Sequence, residues 1–164
     1  MAPVTFPDQL FFSRQIPFSK PTGPRMFLDS YKHALDPKGR VVVPSNYRGE
    51  LQGVFYLAMG DHGQIEVWPK ADFEDRVKEK KALAKGNQQL EYELRTFAAS
   101  ACEVEMDGQF RVAISARLRA RAGLEPGTQL ILNGMIERFE IWTEPAFALY
   151  EAPFVGAGAD ANQA

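Results

Sequence analysis

The chain repeats itself, and that repeat limits the fold more than any other feature. LDPKGRVVVPSNYR, residues 35–48, returns as MDGQFRVAISARLR, residues 106–119. A shift of 71 residues superposes Asp36 on Asp107, Arg40 on Arg111, Val41 on Val112 and Arg48 on Arg119. A shift of 74 then superposes Gly53 on Gly127, Gly60 on Gly134, Glu66 on Glu140, Trp68 on Trp142 and Phe73 on Phe147, with three extra residues before Gly127 accounting for the change. IEVWPKADF (65–73) answers FEIWTEPAF (139–147), and both tryptophans fall in these phrases. An internal period of this kind takes precedence over local readings of the fold.

Each copy reads alike. YKHAL is a short strand candidate. DPKG is a turn with Asp first, Pro second and Gly fourth, as type I geometry favours. RVVV resumes a β-branched strand, Pro44 suits a first helical position opening SNYRGEL, and VFYLAM with QIEVW forms a hairpin across GDHG. EVEM, RVAI, ARLRARA, QLIL and RFEIW take these places in the second copy, with Gly123 as the helix stop. A unit of about 45 residues with four short strands and one short helix buries too little apolar surface to stand alone. Two units must therefore pack or interleave as a pseudo-twofold pair. The expected core is Val41, Val43, Leu57, Val67 and Trp68 with Val112, Ile114, Ile131, Ile141 and Trp142.

Between the copies, Asp72 with Asp75 reads as a capped helix start, and FEDRVKEKKALAK stops at Gly86. A second helix carries an apolar stripe of Leu90, Leu94, Phe97, Ala98 and Ala101, and EDRVKEKK reads as a solvated face. The expected organisation is thus α+β: an extended or disordered arm over 1–25, a first repeat over 30–72, a helical connector over 73–100, a second repeat over 101–146 and a flexible tail over 153–164. Five of the eleven prolines lie in residues 1–25, and the tail is small and polar.

Composition narrows the function classes. With 45% apolar residues the chain can bury a core. No apolar run approaches the roughly 18 residues of a membrane span and no leader pattern opens the chain, so a cytosolic location without a membrane partner is expected. Cys102 has no second cysteine to pair with, and it makes no zinc pattern with His33 and His62, so neither metal nor cofactor is expected. No phosphate loop, nucleophile elbow or duplicated histidine points to an enzyme or a small-molecule substrate. Asp36 and Asp107 each open a turn four residues before an arginine, which favours turn closure over acid–base chemistry.

The arginines carry the functional signal. Net charge is −2, but residues 111–121 hold Arg111, Arg117, Arg119 and Arg121 with no acid, and 32–48 hold Lys32, Lys38, Arg40 and Arg48 against Asp36 alone. A duplicated turn and strand displaying rigid guanidinium groups about a pseudo-twofold axis suits duplex DNA, where arginine contacts guanine edges and phosphates. A structural role for these arginines, as partners of Asp36 and Asp107, is the competing reading.

At these residues the chain resembles the MraZ proteins, within the wider AbrB/SpoVT-like swapped-hairpin superfamily. DxxxR as Asp36 to Arg40 and Asp107 to Arg111, KGRVVVPSNYR and the late E-x-W phrases carry the resemblance over roughly residues 26–150. It implies two tandem swapped-hairpin repeats forming a pseudo-twofold double domain. It also implies a repressor of its own division and cell-wall gene cluster, a ring-shaped homo-oligomer working at the nucleoid, with double-stranded promoter DNA as partner. Carried over by residue, the DNA contacts would be Lys38, Arg40, Arg48, Arg111 and Arg119; charge alone adds Arg117 and Arg121. Asp36, Gly39 and Asp107 would shape the turns. In the second turn Phe110 stands where the first has Gly39, and Gly108 is the expected replacement in a Gly-first turn. The resemblance begins at Met26, which implies an alternative or true start there. The rival function is an antitoxin-like β-rich interaction module.

Overall fold

The computed structural model describes residues 26–155. In chain order the elements are β1 (Ser30–Ala34), β2 (Arg40–Val42), α1 (Ser45–Arg48), β3 (Phe55–Met59), β4 (Ile65–Pro69), α2 (Lys70–Ala84), α3 (Gln88–Ser100), β5 (Cys102–Val104), β6 (Arg111–Ala113), α4 (Ala116–Ala122), β7 (Gln129–Gly134), β8 (Phe139–Thr143) and α5 (Glu144–Val155). The fold is α+β, and neither repeat closes on itself.

The repeats are interleaved. One sheet runs β1-β7-β8-β4-β3-β5, and a separate ribbon pairs β2 with β6. The first strand of each repeat thus joins the other repeat's hairpin, β1 on β7 and β5 on β3. Across the two central seams, Val41 opposes Val112 and Glu66 opposes Glu140. These are the residues that the two sequence shifts equate, so the pseudo-twofold axis passes between them.

Interleaving gives two insufficient modules one core. Val41, Val43, Leu57, Val67, Val112, Ile114 and Ile141 form it together with Phe27, Tyr47 and Phe139. Leu132, not the expected Ile131, is the counterpart of Leu57, because Leu132 stands opposite Ile141 whereas Ile131 stands opposite Trp142 on the other face of the sheet. Complete burial of such side chains contributes about 1.5–3 kcal/mol each. Trp68 leads a second cluster with Ala58, Phe73 and Phe97 beneath the connector helices. Trp142 is buried as well, against Phe147 and Tyr150 of α5.

Several expected boundaries move. The connector begins at Lys70 with Pro69 at its N-cap, so Asp72 sits in the first turn of α2 and is not its cap. Its charged run is an outer face with Arg76–Glu79 and Lys78–Asp75 pairs. The α3 stripe packs on α2 and β3, with Phe97 buried and Ala98 exposed. Pro44 precedes α1 by one place, as its cap. The strand read at EVEM ends at Val104, where its register with β3 stops at Phe55. α5 replaces the start of the expected tail: Pro153 lies inside this helix, which runs to Val155. The rest of the tail and the expected arm of residues 1–25 lie outside the described residues.

Candidate nucleic-acid interface

Aspartate builds both turns in the same way. Asp36 Oδ1 accepts the backbone N–H groups of Lys38 at 2.9 Å and Arg40 at 2.8 Å, while Oδ2 accepts Arg40 Nε at 2.7 Å. Asp107 repeats the set with Gln109 at 2.9 Å, Arg111 N at 3.0 Å and Arg111 Nε at 2.8 Å. Desolvation raises Asp36, but the bonds from Arg40 and Lys38 together outweigh it and hold its carboxyl below the usual range. At Asp107 the backbone bond from Arg111 leads the same lowering. Turn closure with an Asp–Arg contact, the favoured reading of these acids, is what the geometry holds.

The ribbon sets where the arginines point. Val41 and Val112 face inward, so alternation puts Arg40, Val42, Arg111 and Ala113 on the outer face. Arg40 stands opposite Ala113 and Arg111 opposite Val42, which makes the two arginines diagonal neighbours across the axis. The turns lie at opposite ends of this ribbon, yet a long ion pair spans them: Arg40 Nη1 is 4.0 Å from Asp107 Oδ2. Neither turn is sealed beneath other parts of the molecule.

Arg48 and Arg119 cross to the other repeat. Arg48 donates Nε to Val43 O at 2.9 Å, and its guanidinium lies 4.2 Å above the Phe110 ring. Arg119 donates Nε to Ile114 O at 3.0 Å and lies against Gly39. Each therefore closes over the opposite turn. Lys38, Arg117 and Arg121 are exposed, the last two one helical turn apart on α4.

The second turn departs from expectation. The residue needing the left-handed conformation is Phe110, with φ +59°, which matches Gly39 at +76°; Gly108 has no positive φ. Both turns close by the same bond, Gly39 N to Asp36 O and Phe110 N to Asp107 O, each at 3.0 Å. Register across the ribbon dictates this: Val43 N must reach Phe110 O just as Ile114 N reaches Gly39 O. A Gly-first turn would place the backbone differently, so Gly108 has no special role. The conformation costs a non-glycine residue about 1–3 kcal/mol. The guanidinium contact returns about 0.5–1 kcal/mol.

A polar group under the other seam escaped the sequence reading. Glu66 and Glu140 each accept their own strand's indole N–H, from Trp68 and Trp142, at 3.0 Å. Arg138 serves both carboxylates, at 3.4 Å to Glu66 and 2.9 Å to Glu140. Its equivalent under the shift of 74 is Gln64, which was the available signal.

Residues 26–91 and 97–162 each match one family model, described as "MraZ protein, putative antitoxin-like". The chain belongs to the MraZ family. The "Transcriptional regulator MraZ" of Corynebacterium diphtheriae is 35% identical over 126 residues, 77% of this chain and 87% of that protein. That of Corynebacterium efficiens is 34% identical over 139 residues, covering 82% and 96%. That of Lachnoclostridium phytofermentans is 34% identical over 119 residues, covering 73% and 82%. The two MraZ segments each contain one Asp–Arg turn, so the family's repeat and the structural repeat coincide.

Proposed function

We propose that this MraZ protein is a sequence-specific DNA-binding transcriptional regulator, with no catalytic role, whose reading face is the β2–β6 ribbon with its two turns. The relatives carry the name of transcriptional regulators. The duplicated arginine set about the axis carries the assignment to DNA. Arg40 and Arg111 supply guanidinium edges on the ribbon, and Lys38, Arg48, Arg117, Arg119 and Arg121 supply positive charge around it. In its finer form the proposal is a repressor of its own division and cell-wall gene cluster, acting at the nucleoid on short promoter repeats as a ring of copies.

Titrating the protein against its own upstream promoter at several salt concentrations tests this. Each phosphate contact contributes roughly 0.9 to the fall of log affinity with log salt. Several contacts give a steep slope, whereas a flat slope or no binding rejects the proposal.

One observation favours a second reading. Arg40 and Arg111 are already paired with Asp36 and Asp107, as structural arginines of an antitoxin-like interaction module would be. The same titration separates the two, because such a module leaves promoter binding weak and unaffected by loss of Lys38.

A further inference from the structure

Phe110 is where the two turns differ in what they can offer to DNA. Its equivalent, Gly39, is buried under a guanidinium: an added Cβ would stand 2.7 Å from Arg119 Cζ and Nε and would have to displace them. Phe110 holds a ring in the same left-handed conformation, and 46% of the residue is exposed. Arg48 covers the ring at 4.2 Å, and the ring also borders a 450 Å³ groove shared with Leu51, Gln52, Met106 and Asp107. A large apolar side chain in a backbone conformation that glycine adopts freely, and absent from both core clusters, is poorly explained by stability.

We propose that Phe110 is a base-specificity residue of the second turn, its ring meeting the C5 methyl group of a thymine in the major groove. Thymine is the base that displays a methyl group there, and phenylalanine is among the apolar side chains that read it. Arg48, stacked on the ring, is the positioning residue that limits where the ring can go. The first turn has only backbone at Gly39 and offers no such contact. Methyl reading is therefore confined to the DNA segment beneath the second turn. The inference rests on the DNA reading proposed above.

The test uses the full chain and duplexes of its own upstream promoter, with each thymine replaced in turn by deoxyuridine, which removes only the methyl group. Fluorescence anisotropy should show affinity about fourfold weaker at one or two positions, the loss expected for one buried methyl group. Phe110→Gly should bind the thymine and uracil duplexes equally, and Phe110→Leu should keep part of the difference. Thermal melts establish that each variant is folded; if Phe110→Gly is not, Phe110→Ser takes its place with the same expectation. A wild-type protein that binds the promoter but ignores every replacement overturns the inference and leaves the DNA reading intact. So does a folded Phe110→Gly, or Phe110→Ser in its place, with undiminished methyl dependence. Failure of the wild type to bind the promoter at any salt concentration removes both.

Discussion

Glu66 faces Glu140 across the seam between β4 and β8, two buried carboxylates served by the single guanidinium of Arg138. Burial pushes Glu66 above its ordinary value of 4.5, and Arg138 opposes that rise. Between 4.5 and its raised value the folded state therefore holds more protons than the unfolded one, and stability declines as pH rises through that window. Arg138→Met leaves two like charges buried and unpaired, which costs about 3–5 kcal/mol at neutral pH. Urea unfolding should show this variant to be more stable at pH 5 than at pH 7. Adding Glu66→Gln, whose amide oxygen still accepts from Trp68, should recover much of the loss. An Arg138→Met protein as stable as wild type at pH 7 would show that the carboxylates are not coupled through this residue.

The twin aspartates respond to acid in the opposite direction. Hydrogen bonds hold both below their ordinary value of 3.8, so their stabilisation is complete above that value. It is lost as pH falls through the lowered values. Replacing both with Asn turns an amide donor toward Arg40 or Arg111 Nε, or sacrifices the backbone bonds. The double variant should melt at lower temperature than wild type at pH 7, and the gap should narrow on acidification toward pH 2. A gap that is constant with pH would mean that turn shape, not carboxylate charge, is what matters.

How much of this was legible in the sequence depends on the kind of interaction. Strands, turns and much of the shared core were readable because Val41/Val112 and Val43/Ile114 occupy equivalent places in a duplicated pattern, whereas Trp68 and Trp142, expected in that core, are buried on other faces under the connector helices and α5. Size required the two modules to pack or interleave but left the choice open, and the exchange that puts β1 on β7 is a finding of the structure. Arg138 left a signal, the break in the duplication where Gln64 stands in its place, but only the Glu66–Glu140 register shows why one cation is needed there. Phe110 was misplaced because local turn rules favour Gly108, whereas ribbon register outweighs them. α5 was missed because Pro153 argues locally against a helix, although Phe147 corresponds to the Phe73 of α2.

The two tryptophans should not be equal in cost. Trp68 is locked among Ala58, Phe73 and Phe97 under both connector helices, whereas Trp142 rests on α5, whose Tyr150 is exposed. Trp to Ala replacements in cores cost about 3–5 kcal/mol, with the cavity's ability to collapse deciding the value. Trp68→Ala belongs at the upper end and Trp142→Ala at the lower, because an outer helix can settle inward. Chemical denaturation of the two variants measures the difference, and equal losses would place both rings in equally rigid surroundings.

The basic residues of the proposed interface divide by what holds them. Lys38, Arg117 and Arg121 are exposed, so each should be removable without loss of stability. If each meets a phosphate, alanine at any one of them lowers the log–log salt slope of promoter binding by roughly 0.9. Arg119 is different: its Nε is bound to Ile114 O and its guanidinium covers Gly39, so Arg119→Ala should weaken folding and DNA binding together. Thermal melts beside salt-dependent titrations of the four variants separate the groups. A slope unchanged in all three exposed variants would remove Lys38, Arg117 and Arg121 from the DNA face and leave recognition to the ribbon alone.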